Sequence, residues 1–183
     1  MPYSGCLIAT QREGKIGAMS AEWLLFGVGL VLILGTGVFV AAEFAMVNLD
    51  RSDLEARESR GERGLGLVIR GLRRTSTHLS SAQLGITLTT LLTGFIMEPA
   101  VATIVMPWFA DSGWSTATIH SIASVASVAF ATVLSMILGE LIPKNFALAV
   151  PLTMAKLVMP LQVAFTAIFR PVVWLSLIHI SEP

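Results

Sequence analysis

The sequence predicts an all-α integral membrane protein with three transmembrane helices and cytoplasmic interfacial (juxtamembrane) helices. Apolar residues make up 54% of the 183 residues and charged residues only 13%, a composition typical of membrane proteins. Three apolar segments each reach about 20 residues or more, the length that a helix needs to cross roughly 30 Å of hydrocarbon. The charged residues cluster between these segments. We therefore expect the chain to lie in a lipid bilayer.

Charge and motifs exclude several other classes of protein. Lysine plus arginine equals aspartate plus glutamate at 12 each, so no basic excess predicts a nucleic-acid partner. Cys6 is the only cysteine, which excludes an intrachain disulfide and a cysteine-based metal cluster. No GxSxG, HExxH or P-loop pattern occurs, so we do not predict an enzyme.

The two ends of the chain are set apart from the membrane domain, which we place at 19–174. Residues 1–18 are mixed and polar without a period, which predicts a disordered tail, and Met19 is a candidate for the true start. Ser20 is the expected N-cap of the first helix. Residues 175–183 read LSLIHISEP, which matches a peptide encoded by a common transposon-based sequencing adapter, and we expect them to be an artefact of truncation.

The first span is predicted at 23–47. Gly37, Ala41 and Ala45 recur there every four residues, forming a stripe that lets helix backbones approach closely in lipid. We predict that this stripe is a helix interface.

The second span is predicted at 79–106 and carries polar residues at four-residue steps. These are Ser81, Gly85, Thr89 and Thr93. A single threonine in such a helix most often bonds back to its own backbone, but the stripe as a whole favours an interior face. Glu98 and Pro99 are expected to break or kink this helix near its far end.

The third span is predicted at 119–142, again with one face of small residues. These are Ser127, Ala131, Ser135 and Gly139. Residues 107–118 contain Trp108 and Trp114 without lysine or arginine, which predicts an outer loop.

Two stretches are predicted to be interfacial helices on the cytoplasmic side. Residues 48–78 carry a basic excess, which by the positive-inside rule places them in the cytoplasm with the C-terminus, leaving the N-terminus outside. Residues 145–174 are apolar but interrupted by Pro151, Pro160 and Pro171, so no clean span is expected. Hydropathy alone leaves a fourth crossing open.

Glu140 is the residue on which the functional prediction depends. An acidic side chain at the centre of a membrane helix costs on the order of 2.5 to 3.5 kcal/mol, so it should face a partner or a wet cavity. The alternative is that Glu140 pairs at the surface with Lys144, four residues later. Gly139 permits close approach and Pro143 frees a carbonyl in the preceding turn. Carboxylate, carbonyl and hydroxyl oxygens together suit a hard cation such as Mg²⁺ or Na⁺.

Three other ionisable residues are assigned structural roles. Glu43 is the second intramembrane carboxylate; it could join a cation path, but we favour hydrogen bonding to the cytoplasmic helices. His78 and His120 have no ligand spacing and are expected to be isolated interfacial residues.

Three stretches in order resemble the transmembrane domain of the CorC/CNNM family of magnesium and cobalt efflux proteins, often labelled hemolysin-related. They are FVAAEFAMVNLDRSDLE (39–55), HLSSAQLGITLTTLLTGFIMEPA (78–100) and LGELIPKNFALAVP (138–151). The resemblance implies a homodimer in the cell (inner) membrane that exports Mg²⁺ or Co²⁺ in exchange for Na⁺ entry. It also implies CBS domains that bind ATP, which here are missing after the truncation.

The resemblance also implies a metal site. Gly139, Glu140 and Pro143 match the third-helix motif, and Gly85 matches the glycine of the second. The chain departs from the family's serine and asparagine residues where it has Ile86, Thr90 and the first-helix run Val40, Ala41 and Ala42, which leaves open a more hydrated site or another cation. The metal ligands predicted here are Glu140, Gly139, Gly85, Thr90 and Thr87.

Two functions follow as hypotheses. The first is a divalent-cation efflux domain with Glu140 as principal ligand. The second is a dimeric membrane anchor that does not transport and holds cytoplasmic CBS regulatory domains at the bilayer. The two differ in whether the polar faces of the three helices converge near Glu140.

Overall fold

The computed structural model describes residues 4–109 and 111–172, and every regular element among them is helical. Seven α-helices follow in order: α1 (Ser4–Val47), α2 (Arg51–Ser59), α3 (Gly66–Leu72), α4 (Thr75–Val105), α5 (Thr116–Ser135), α6 (Ile142–Ala149) and α7 (Pro151–Ile168). A 3₁₀ turn (Met106–Phe109) follows α4, and a π-helical turn (Met136–Leu141) joins α5 to α6. The predicted all-α membrane fold is confirmed.

Among the described residues, four helical segments, rather than the three predicted, are long and apolar enough to cross a membrane. They are Ala21–Val47, Thr75–Phe109, Thr116–Ala149 and Pro151–Ile168. The prediction that prolines leave no clean segment after 145 was wrong. Pro151 lies at the start of α7, where its missing N–H removes no helical bond, and Pro160 is accommodated inside the helix. The 18 residues of α7 are about 27 Å long, close to the thickness of the hydrocarbon layer.

The predicted disordered tail at 1–18 was also wrong for the residues that the structure describes. Helix α1 begins at Ser4 instead of Ser20. No proline lies between Ser4 and Val47, and each residue added to an existing helix gains one backbone hydrogen bond. Residues 1–3 and the suspected artefact at 175–183 lie outside the described residues.

Helix α4 continues through Pro99, so the predicted break at this residue does not occur. The hydroxyl of Thr103 donates to the Pro99 carbonyl at 2.8 Å, which adds a local bond one turn further on. Membrane helices tolerate proline where side chains and neighbouring helices satisfy the backbone around it.

The chain divides into two compact units, described separately here. The first takes the described part of Met1–Leu32 together with Leu91–Leu134. Within it, Gly29 of α1 packs against Met97 of α4, and a Cβ on Gly29 would lie 2.6 Å from the Met97 sulfur. Ser124 of α5 donates a 2.6 Å hydrogen bond to Glu98.

The second unit takes Ile33–Thr90 and the described part of Ser135–Pro183. Its core is formed by the C-terminal half of α1 with α2, α3 and α7. Buried members include Ala41, Ala45, Leu54, Leu65, Val68 and Met159. The small-residue stripe on α1 is therefore an interface, as predicted. The leucines of the predicted interfacial stretch at 48–78 pack on protein in this core.

The surface of α2 and α3 carries exposed ion pairs. Asp50 caps α2 by accepting from the Ser52 N–H at 2.7 Å. Glu55 accepts from Arg51 at 2.9 Å and from Arg73 at 3.1 Å, so these two guanidinium groups lower the pKa of its carboxyl group. Because the groups are exposed and solvent screens their charges, each pair is expected to contribute little to the free energy of unfolding.

Candidate cation site in the second unit

The predicted Gly139–Glu140 motif lies in a π-helical turn. Residues Met136–Leu141 form this turn, and the Ile142 N–H donates to the Ile137 carbonyl, one residue further back than in an α-helix. Pro143 has no N–H, so the next donor in that register, which would have reached Leu138, is absent. Single π-helical turns inside α-helices occur often at functional sites.

Two glycines bring this turn into close contact with α1. A Cβ on Gly139 would lie 3.4 Å from the Ile33 carbonyl oxygen and 3.5 Å from the Thr36 Cβ. A Cβ on Gly37 would lie 2.8 Å from Cγ of Pro143 and 3.1 Å from the carbonyl oxygen of Leu138. A Cβ at Gly37 would push the two backbones apart, whereas a Cβ at Gly139 would make ordinary van der Waals contacts.

Two threonine hydroxyls connect the neighbourhood of Gly139 to that of Gly85. Thr36 of α1 donates from its Oγ1 to Thr89 Oγ1 of α4 at 2.7 Å. Thr89 in turn donates to the Gly85 carbonyl at 2.8 Å. Gly85 is buried against the ring of Phe39, whose atoms would lie 2.8 Å from a Cβ at this position. The structure thus groups two predicted ligands, Gly139 and Gly85, around Thr36 and Thr89.

Thr36 is the member of this group that sequence reasoning missed. It is only 5% exposed, and it is the single hydroxyl-bearing residue in the apolar stretch 23–47. A lone hydroxyl in an apolar span could have identified Thr36 from the sequence. The family resemblance drew attention instead to Val40, one helical turn further along.

The other predicted ligands do not join this group. Thr87 and Thr90 are exposed, and Thr87 donates back to the Gln83 carbonyl at 2.9 Å. Glu140 is exposed as well, although it follows the buried Gly139 directly. Its role as principal ligand remains a prediction.

The proposed surface pair of Glu140 with Lys144 is not among the four ion pairs of the described residues. Lys144 instead places its Nζ 4.7 Å from the centre of the Phe44 ring, a cation–π contact. This contact gives Lys144 a partner other than the carboxylate of Glu140.

Glu43 is half-buried and interacts with α4. Gln83 donates from Nε2 to the Glu43 carboxylate at 3.4 Å, a long hydrogen bond. The favoured structural role is thus compatible with the contact, but the partner is on α4, whereas hydrogen bonding to the cytoplasmic helices was expected.

The oxygen atoms in this region limit the kind of site that it can form. No cluster of three or more His, Cys, Asp or Glu residues that could hold a metal occurs in the described part of the chain. Backbone carbonyls, threonine hydroxyls and the single carboxylate of Glu140 are hard oxygen donors, which suit Mg²⁺ or Na⁺ and not a soft transition metal.

The fold and this arrangement define the chain as a multi-pass, all-α membrane domain. The chain belongs to the family described as the cyclin M transmembrane N-terminal domain (CNNM), whose sequence profile matches residues 28–182. The predicted resemblance is therefore confirmed.

Relatives from three bacteria match most of this chain. It is similar to UPF0053 protein MT1890 of Mycobacterium tuberculosis, with 42% identity over 147 residues, covering 80% of this chain and 32% of the relative. It is also similar to UPF0053 protein YhdT of Bacillus subtilis (32% over 146 residues; 79% and 32%). UPF0053 protein sll0260 of Synechocystis is 31% identical over 156 residues, covering 85% of this chain and 35% of the relative. The chain spans about a third of the length of these relatives.

Proposed function

We propose that this chain is the ion-conducting membrane domain of a divalent-cation transporter, with Mg²⁺ as the ion. The observation that carries the proposal is the grouping of Gly139, Thr36, Thr89 and Gly85 in the second unit, where oxygen atoms meet next to a π-helical turn. Glu140, adjacent to Gly139, supplies the charge that a divalent cation requires.

In this structure, the Thr89 hydroxyl donates a hydrogen bond to the Gly85 carbonyl oxygen. For this carbonyl oxygen to bind Mg²⁺, the Thr89 side chain must rotate so that its hydroxyl proton leaves the carbonyl. The Thr89 hydroxyl oxygen then faces the ion too. The departures at Val40 and Ile86 remove side-chain oxygens that the family pattern has, and Thr90 has a hydroxyl where the pattern has an amide. Thr36 and Thr89 replace part of the lost oxygens from neighbouring positions.

Several finer features belong to the same proposal. Transport is outward and driven by Na⁺ entry, as the family resemblance implies. The protein is a homodimer in the cell membrane with its N-terminus outside and its C-terminus in the cytoplasm, as the distribution of arginines favours. ATP acts only through CBS domains outside this chain. We assign no enzymatic activity.

The second candidate function is a dimeric membrane anchor that does not transport. The observation that favours it is the length of the relatives, of which about two thirds lie outside the region that this chain matches.

An efflux assay separates these two functions. Proteoliposomes containing the chain are loaded with Mg²⁺ and a fluorescent Mg²⁺ indicator, and an inward Na⁺ gradient is imposed. We expect Na⁺-dependent Mg²⁺ loss that Glu140→Gln abolishes and that the exposed control Thr87→Val leaves intact. Absence of flux in the chain and also in a full-length relative would favour the anchor. Flux that is unchanged in Glu140→Gln would remove Glu140 from the site.

A further inference from the structure

A buried polar cluster joins the first turns of α4 to α7 in the second unit, apart from the candidate cation site. His78 and Ser81 contribute from α4, and Gln162 and Thr166 from α7; all four are at most 8% exposed. His78 was predicted to be an isolated interfacial residue, and this was wrong: its Nδ1 lies 3.1 Å from Thr166 Oγ1. His120, by contrast, is exposed on α5.

The contacts within the cluster fix the orientation of the Gln162 amide. Its nitrogen lies 2.9 Å from the His78 carbonyl oxygen and 2.7 Å from Ser81 Oγ. A carbonyl oxygen can only accept a hydrogen bond, so the amide nitrogen must face it. Rotating the amide would place two acceptors against each other. The Oε1 atom therefore points away from both contacts.

The remaining donors of the cluster are already used. The Thr166 hydroxyl donates to the Gln162 backbone carbonyl at 2.7 Å. Ser81 Oγ lies 2.6 Å from Thr166 Oγ1 and 3.1 Å from the His78 carbonyl oxygen, so with the Thr166 proton committed, the one Ser81 proton is shared between these two acceptors. Because the Thr166 proton is committed to the Gln162 carbonyl, His78 Nδ1 must carry the proton in its contact with Thr166 and donate it. Every proton of the four side chains that lies in the cluster then has an acceptor.

One acceptor is left over. Gln162 Oε1 is the only buried side-chain nitrogen or oxygen atom in the described residues that has no hydrogen-bond partner in the protein. Because no donor proton remains in the cluster, none of the described side chains supplies a partner for this atom. Buried polar atoms that the protein leaves unsatisfied are the usual sites of internal water.

We infer that Gln162 Oε1 binds one buried water molecule beside the polar cluster that joins α4 to α7. This inference is independent of the cation site and does not require the chain to transport Mg²⁺.

A crystal structure of the chain in lipid, at a resolution where ordered waters are visible, tests the inference directly. We expect one peak of water height within hydrogen-bonding distance of Gln162 Oε1. Crystals grown with RbCl in place of NaCl distinguish water from a monovalent cation, because only a cation site gives an anomalous peak. An anomalous peak at this position, or no peak at all, would overturn the inference.

A second measurement needs no crystal. The chain has three glutamines, Gln11, Gln83 and Gln162, so a glutamine-labelled sample in nanodiscs gives three side-chain amide signals, and Gln162→Met assigns one of them. We expect a nuclear Overhauser effect from a long-lived water to the Gln162 amide, and only surface-type exchange for the exposed Gln83. The effect must persist in Ser81→Ala, which removes the hydroxyl that could relay it. Its absence from wild-type protein, or its loss in Ser81→Ala, would contradict a bound water.

Discussion

The Thr36 hydroxyl donates to the Thr89 hydroxyl at 2.7 Å, and this hydrogen bond joins α1 to α4 between residues that are 53 positions apart in the sequence. The Thr36 hydroxyl lies in an otherwise apolar stretch, and the Thr89 hydroxyl donates a hydrogen bond to the carbonyl of Gly85. This pair connects the two glycines that sequence motifs identified as ligands. The account of the site therefore depends first on whether the pair exists and contributes to stability.

A double-mutant cycle with Thr36→Val and Thr89→Val measures this contribution. Hydrogen bonds between membrane helices average about 0.6 kcal/mol in such cycles, so we expect a coupling free energy of about this size. The free energy of unfolding in lipid is the quantity measured. The control Thr87→Val removes a hydroxyl that bonds only within its own helix.

Additive effects of the two valine substitutions, with no coupling, would show that the hydroxyls do not interact. A coupling as large between Thr36→Val and Thr87→Val would show that the effect is not specific to the pair.

Gly37→Ala tests the close approach of α1 to the π-helical turn. The added methyl group would meet the Pro143 ring and the Leu138 carbonyl, neither of which can turn away like the end of a flexible side chain. We expect a loss of about 1 to 3 kcal/mol in the free energy of unfolding, the usual cost of overpacking.

Gly27→Ala is the matched control for this substitution, because it lies in the same helix and a Cβ there meets no atom within 4 Å. Removing a glycine from a helix favours the helix by up to about 1 kcal/mol, so Gly27→Ala should be neutral or stabilising. Equal destabilisation by both substitutions would contradict the packing described at Gly37.

Acid should loosen the connection between α2 and the residue that follows α3. Hydrogen bonds from Arg51, and then from Arg73, hold the pKa of Glu55 below its ordinary value of 4.5. A carboxylate with a lowered pKa stabilises the folded state above its unfolded pKa, and this contribution is lost as the pH falls through the folded pKa, that is, below about pH 4.5.

An NMR titration of the Glu55 side-chain carboxyl group measures this pKa directly. We expect Arg73→Gln to raise it toward the ordinary value without reaching it, because Arg51 remains. Arg57→Gln, which removes the partner of Asp53, should leave the Glu55 titration unchanged. A Glu55 pKa that does not respond to Arg73→Gln would show that the 3.1 Å contact is not maintained in solution.

The positions of the apolar segments could be predicted from the sequence, because a helix that crosses the hydrocarbon layer needs an uninterrupted apolar run as long as the layer is thick. The small-residue stripe at Gly37, Ala41 and Ala45 was correct for a related reason, since close approach of helices in lipid requires small side chains. These features depend on local composition, and composition is what a sequence displays.

Helix α7 and the hydroxyl pair were not predicted, because each depends on tertiary context. Proline propensity argued against a helix at 151–168, but α7 packs on α3 and α6 and continues through Pro160. Thr36 bears no motif, and its importance comes from Thr89, which is distant in sequence. The π-helical turn likewise depends on close contact of Gly139 with α1, which no single segment reveals.

Mg²⁺-dependent thermal stabilisation of matched threonine variants tests the central claim most directly. A ligand at 100 times its Kd stabilises the folded state by about 2.7 kcal/mol. We predict that Mg²⁺ raises the Tm of wild-type chain and of Thr90→Val, and that Thr36→Val, Thr89→Val and Glu140→Gln lose most of this increase. A full Mg²⁺-induced increase in Tm in Thr36→Val, together with loss of this increase in Thr90→Val, would contradict the proposed site. It would indicate instead that the ligands lie on the exposed face of α4.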